Sequence, residues 1–374
     1  MGVGSGAQGR AVVIERAALG RLITVLRDRG YHVVGPRLGD GAIVLGDVED
    51  LKDLPEGWGD EQEAGQYRLK QREDRALFAY NAGPQSWKKF LHPAQLRFMV
   101  AEREGSDFKL LDCSGPAPRY AFVGVRACEL AAIRVLDRVL MGDRFVEPHY
   151  QARRENLLLV VVHCTQAAPT CFCASMGTGP RAQEGFDMAL TELPEGKGFL
   201  VEVGSPRGEQ LLEALEHRAA TEPDRSQAER AIQQAARQIR RQIDTRDLAQ
   251  RLWGTLDSQH WDRVAARCLA CGNCTMVCPT CFCTTVEDVS SVSGDRAERW
   301  RKWDSCFTES FSYIHGGSVR ASVRSRYRQW LMHKLAAWVD QFGMFGCVGC
   351  GRCITWCPAK IDLTEEVREI LASG

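Results

Sequence analysis

The sequence predicts an α+β protein, with an α/β domain at the N-terminus followed by a mostly helical, cysteine-rich domain. Three observations carry that expectation. β-like runs and helical spacings alternate through the first half, and few β-like runs follow residue 261. The 16 cysteines are also spread unevenly over the 374 residues. None precedes Cys113, five lie between 113 and 173, none lies between 174 and 267, and eleven crowd into 268–357. The gap places a boundary near 220–260. The expected division is therefore 1–220 for the α/β domain, 221–256 for a bridging helix and 257–374 for the helical domain.

The elements follow in order. Leu19, Leu22, Ile23 and Leu26 fall on one face of a helix that Gly30 would end. Residues 31–34, 42–45, 120–125, 157–163 and 199–203 have the composition of short strands. Run 120–125 leads into helical spacing over 129–140 and then into run 157–163, the order of a βαβ unit. From 221 to about 256 the chain is rich in Ala, Gln and Arg, with Ile232, Ala236, Ile239 and Ile243 keeping a helical stripe. A long helical stretch is expected at 321–341.

Composition narrows the function. Hydrophobic residues at 44% and charged residues at 26% exclude wholesale disorder. The 48 Lys and Arg balance the 48 Asp and Glu, so no global field draws nucleic acid or an anionic membrane. The first ten residues lack a secretory pattern, and no run approaches the apolar length of a membrane span. Membrane insertion is not expected. The expected location is the cytoplasm, where clustered cysteines read as metal ligands or redox groups. The glycines at 2–6 read as a flexible tail, and no phosphate-binding loop occurs. The eight His are scattered, none at metal-ligand spacing. Residues 291–334 carry nine basic against four acidic residues. That excess reads as a solvated face compensating anionic groups, or as a docking patch for an acidic partner.

Two cysteine runs carry the strongest chemistry. Cys268, Cys271, Cys274 and Cys278 precede Pro279, and Cys347, Cys350, Cys353 and Cys357 precede Pro358, both at the bacterial iron–sulfur spacing. In two-cluster ferredoxins the fourth cysteine of each run ligates the other cluster. The expected sets are Cys268, Cys271, Cys274 and Cys357 for cluster 1, and Cys347, Cys350, Cys353 and Cys278 for cluster 2. Zinc needs no third and fourth cysteine in one run. The runs are offset by 79 residues, and the 68-residue insert at 279–346 reads as largely helical. This points to a helical two-[4Fe–4S] ferredoxin-like domain.

The remaining cysteines are less regular. Cys128 and Cys164 each follow a predicted strand, and Cys171 and Cys173 share a loop. If the strands are parallel neighbours, the four thiols meet at the carboxyl edge of a sheet, where open α/β folds place ligands. They form a candidate third cluster site, with zinc or unligated thiols as alternatives. Pro169-Thr170-Cys171-Phe172-Cys173 recurs as Pro279-Thr280-Cys281-Phe282-Cys283. Cys281, Cys283 and Cys306 are candidate additional ligands, and Cys113 has no partner in sequence.

These residues bring a family resemblance. The chain resembles the two-cluster iron–sulfur subunits represented by the β subunit of cytoplasmic NADP-linked [NiFe] hydrogenase (sulfhydrogenase) and by the corresponding iron–sulfur subunit of anaerobic sulfite reductase. The stretches that carry it include Pro84-Gln85-Ser86-Trp87-Lys88-Lys89-Phe90 and Gly124-Val125-Arg126-Ala127-Cys128-Glu129-Leu130. Others are Thr170-Cys171-Phe172-Cys173-Ala174-Ser175-Met176-Gly177, Cys271-Gly272-Asn273-Cys274, Trp303-Asp304-Ser305-Cys306 and Arg326-Tyr327-Arg328. The last is Phe345-Gly346-Cys347-Val348-Gly349-Cys350-Gly351-Arg352-Cys353. The resemblance spans about 80–365, with one departure: Ala127-Cys128-Glu129 stands where the family has Pro-Cys-Asp.

The resemblance implies a non-catalytic electron relay in an oxidoreductase complex. A flavin- and NAD(P)H-binding subunit would exchange hydride. The small and large subunits of a [NiFe] hydrogenase, or a sirohaem sulfite reductase subunit, would handle the terminal substrate. A self-contained thiol or heterodisulfide reductase acting at 164–173 is a further alternative.

Overall fold

The computed structural model of the chain describes residues 11–373 apart from 112, 114 and 143; the glycine-rich tail lies outside them. The first strands are β1 (Ala11–Ile14), β2 (His32–Gly39), β3 (Ala42–Asp47), β4 (Trp58–Glu63), β5 (Gln66–Gln71), β6 (Gln95–Glu104) and β7 (Asp107–Leu111). Next come β8 (Tyr120–Val125), β9 (Leu158–Val162), β10 (Met188–Glu192), β11 (Phe199–Val203) and β12 (Arg218–Ala219). A later hairpin adds β13 (Thr284–Ser290) and β14 (Arg296–Trp303).

Eight strands make one sheet, in the order β12-β1-β11-β10-β9-β8-β2-β3. Its centre, β10-β9-β8-β2, is parallel, and antiparallel strands extend both sides. Val123, Val160 and Val162 point to one face and Val125 and Val161 to the other, and all are fully buried. Burial on both faces is what near-continuous apolar runs in a parallel sheet require. Helix Arg16–Asp28 covers one face with Leu19, Leu22, Ile23 and Leu26. Helix Ala127–Leu140 covers the other with Leu130, Ile133 and Leu136.

Helix Glu222–Gln238 starts from a capping box in which Thr221 and Asp224 bond each other's backbone N–H. Its Ala228 packs with Val13 and Leu200 of the sheet. A non-helical segment follows, leading to the short helix Leu248–Trp253.

The insert between the cysteine runs departs from the helical expectation. Its first part is the β13–β14 hairpin, and β14 pairs with β6 to complete a four-stranded sheet, β13-β14-β6-β7. Only from Val323 to Phe342 is the insert a long helical rod, with a π turn at His333–Ala337. The C-terminal region is therefore mixed α and β rather than mostly helical. The cause lies in β14, which reads RAERWRKW. It is held by long charged side chains reaching across strands, so no apolar alternation marks it. Arg299 pairs with Asp288, Lys302 with Glu287, Arg97 with Glu298 and Arg296 with Glu102. Arg301 reaches Glu147 at 3.0 Å. These pairs also absorb much of the basic excess at 291–334. Among the described residues no helix is long and apolar enough to cross a membrane.

Phe122 tests the core of the α/β region. Its ring stacks on Trp87 with centroids 4.6 Å apart, and Phe90 and Tyr120 close around it. Phe122→Ala is expected to cost about 3–5 kcal/mol, seen as a lower denaturation midpoint. Truncating the exposed Phe108 is expected to change stability by less than about 0.5 kcal/mol.

Candidate metal centres

Each cysteine run turns on a glycine just before its one-turn helix. Gly272 (φ 73°) and Gly351 (φ 78°) hold left-handed conformations at the start of the one-turn helices Asn273–Met276 and Arg352–Thr355. A positive φ strongly favours glycine, and the turn it allows gathers the thiols of the run. The two short helices pack together, and Asn273 Nδ2 donates to the Trp356 carbonyl. This packing crosses the fourth cysteines. Cys357 joins Cys268, Cys271 and Cys274, in a pocket backed by Phe307, Tyr327 and Trp330. Cys278 joins Cys347, Cys350 and Cys353, in a pocket backed by Phe172, Lys334 and Arg352.

The sheet gathers the N-terminal cysteines. β8 and β9 are parallel neighbours, with Ala121 opposite Leu158. Cys128 lies in the first turn of the helix after β8, and Cys164 lies just beyond β9. With Cys171 and Cys173 from the following loop, the four thiols face one another. Burial pushes Cys171 up to about 12 and holds Cys128 and Cys173 well above the ordinary thiol value. Free thiolates are costly there, and bound iron would supply the charge that stabilises them. Arg126 hydrogen-bonds the Cys164 thiol and donates to the carbonyls of Phe78 (2.6 Å) and Tyr80 (2.8 Å).

The loop at 169–173 presses on the second run. Phe172 N donates to Gly349 O at 2.9 Å, Thr178 Oγ1 to Val348 O at 2.6 Å and Thr355 Oγ1 to Thr170 Oγ1 at 2.9 Å. A Cβ on Gly349 would lie 2.6 Å from Cys173 N, and one on Gly351 2.5 Å from Thr170 O. Cys350 consequently faces Cys128, Cys171 and Cys173 as well as its own set. Cys353 in turn faces Cys274 of the first set. The three sets stand in series, ending at the exposed Cys271 beside Leu269, which is also exposed.

Several buried charged residues at these sets had no role assigned from sequence. Arg352 hydrogen-bonds the Cys350 thiol, donates to Gly83 O (2.8 Å) and Gln85 O (2.9 Å), and forms a salt bridge with buried Glu129. Glu129 accepts from Trp87 Nε1 at 2.8 Å. Lys334 Nζ donates to Cys278 Sγ at 3.2 Å. Burial pushes Lys334 down, but the neighbouring thiols Cys278, Cys281 and Cys347 outweigh it and hold the lysine well above its ordinary value. A cation within a few residues of a cysteine was the available sign for Arg126 and Arg352. Lys88 and Lys334 are remote in sequence and offered none.

Cys281 lies beside Cys278, and Cys283 meets Cys306, which also faces Cys274. Among the described residues the Cys113 thiol meets the Leu111 carbonyl, at 3.7 Å. Among the described residues no three His, Cys, Asp or Glu converge as ligands of a single ion. A cubane makes no such demand, because each thiolate binds a different iron. The residues present fit iron–sulfur clusters.

A family model described as a 4Fe-4S dicluster domain matches residues 267–361. Over 288 residues the chain is 34% identical to sulfhydrogenase 2 subunit beta of Pyrococcus furiosus, covering 75% of this chain and 82% of that protein. The chain belongs to this sulfhydrogenase β-subunit family. Its likeness to that relative is longer than the whole cysteine-rich region, so it also takes in the α/β region. No solved structure matches this member of the family. In it, both cysteine runs fall inside the dicluster match.

Three variants test the geometry. Cys278→Ser is expected to abolish the paramagnetic signal that also depends on Cys347, and Cys357→Ser the one that depends on Cys268. The reverse assignment would refute the crossing. Gly349→Ala, with φ 65° and Cys173 in its path, is expected to lower bound iron while exposed Gly41→Ala does not.

Proposed function

We propose that this chain is the electron-transfer subunit of a soluble multisubunit oxidoreductase, relaying electrons between a flavin/NAD(P)H-binding subunit and a [NiFe] hydrogenase module. The series of three four-cysteine sets carries the reading. In it, the set of Cys128, Cys164, Cys171 and Cys173 takes a third [4Fe–4S] cluster beside the two of the dicluster domain. Iron–sulfur clusters supply one-electron transfer when bound.

The chain's own residues do the rest. Neighbouring sets meet through Cys350 and through Cys353 with Cys274, so no long gap separates them. Arg126, Arg352 and Lys334 place buried positive charge beside thiolates, which favours the more negative, reduced state of a cluster held there. The exposed end at Cys271 and Leu269 suits docking of a partner's redox group. The relative's name, a sulfhydrogenase subunit, favours a nickel partner over a sirohaem one.

Purification from native cells under anaerobic conditions is the direct test. A flavoprotein and a nickel protein are expected to co-purify. A sirohaem protein in place of the nickel protein would assign the other complex. A chain isolated alone, with thiol reductase activity, would overturn the relay. For the third set, Cys128→Ser and Cys171→Ser are each expected to lower iron by about four per chain, although they sit on different elements. Unchanged iron in either variant would leave that set without a cluster.

A further inference from the structure

We infer that Cys281, Cys283 and Cys306 hold a further iron–sulfur cluster, a cubane on three thiolates, beside Cys278. The local fold assembles these residues deliberately. Thr280 Oγ1 donates to Gly346 O at 2.7 Å and fixes the turn that follows Cys278, after which the Cys281 thiol meets the Cys278 thiol. Cys283 stands one residue before β13, and the hairpin returns through β14 with Thr284 opposite Trp303. Asp304 N then donates to Cys283 O at 2.9 Å. Ser305 Oγ, bonded to Thr275 Oγ1 at 2.7 Å and accepting from Phe307 N at 3.1 Å, anchors the next turn. Cys306 is thereby brought into hydrogen-bonding contact with Cys283. Cys281 and Cys283 stand in the same five-residue sequence that carries Cys171 and Cys173 to the third set.

Charge distinguishes a cluster from unligated thiols. Lys88 and Lys334 are 3% and 5% exposed. Lys88 Nζ donates to Cys281 O at 2.8 Å and lies 3.9 Å above the Trp303 ring. Lys334 Nζ donates to Cys278 Sγ at 3.2 Å and Thr280 Oγ1 at 3.3 Å. Among the described residues neither lysine pairs with a carboxylate, and the anion-forming groups around them are the thiols of Cys278, Cys281, Cys283 and Cys347. Buried cations need anionic partners. The second set offers one through Cys278 and Cys347, and a thiolate-bound cluster on Cys281, Cys283 and Cys306 offers the other. A Cys283–Cys306 disulfide would be neutral and would leave the lysines short of negative charge. With three thiolates, one iron remains for a ligand other than cysteine.

The full-length chain, purified anaerobically, tests this whichever partners the relay has and whether or not the third set is filled. Against wild type, the double variant Cys283→Ser/Cys306→Ser is expected to lose about four irons and four sulfides per chain. It should keep the paramagnetic signals that depend on Cys268 and Cys347. A loss of fewer than three irons, zinc in place of iron, or a Cys283–Cys306 disulfide in the native chain would overturn the inference. If the variant misfolds and loses every signal, wild type decides. Added cyanide is expected to shift one signal, because one iron lacks a thiolate, and a spectrum unmoved by cyanide refutes the site.

Discussion

The structure depends on the contact between the loop at 169–173 and the glycines of the second cysteine run. A backbone hydrogen bond from Phe172 to Gly349 brings two main chains together with no side chain between them. Only glycine at 349 and 351 permits that approach. The contact places the carboxyl edge of the parallel sheet against the cysteine-rich region. It makes neighbours of thiols separated by as much as 222 residues, Cys128 and Cys350. Without it the set at the sheet edge would stand apart from the two sets of the cysteine runs.

Buried charge is the second constraint. Thiolates in an apolar interior are expensive, and so are lone guanidinium and ammonium groups. Here they are buried together: Arg126 with Cys164, Arg352 with Cys350 and Glu129, Lys334 with Cys278. Each cation is also held by backbone carbonyls or a hydroxyl, so its position is fixed. Such fixed charges act on whatever the thiols bind, and they tie the state of the metal to the packing of the protein.

Much of this was legible in the residues. The spacing of the two runs expresses a tight glycine turn, and in the structure Cys357 lies with Cys268, Cys271 and Cys274 while Cys278 lies with Cys347, Cys350 and Cys353. Run 120–125 is a strand with those same limits, and β9 lies parallel beside it because both are continuous apolar runs. The β13–β14 hairpin was illegible for the opposite reason. Its cohesion comes from Arg–Asp, Arg–Glu and Lys–Glu pairs, which hydrophobic periodicity does not register. The roles of Lys88 and Lys334 were hidden as well, because a lysine drawn into a core by distant thiols looks in sequence like any surface lysine.

The reliance of the early cysteines on a late segment has a consequence for biosynthesis. Cys171 leaves the ribosome 178 residues before Gly349, which is roughly 10–35 s at ordinary elongation rates. Throughout that interval the sheet edge with its four thiols has no covering run. The β6–β7 ribbon waits as well, for β14. An open strand edge and uncovered thiols are exposed to mispairing and oxidation together. The nascent chain thus carries its sheet-edge thiols uncovered until the second cysteine run has been made.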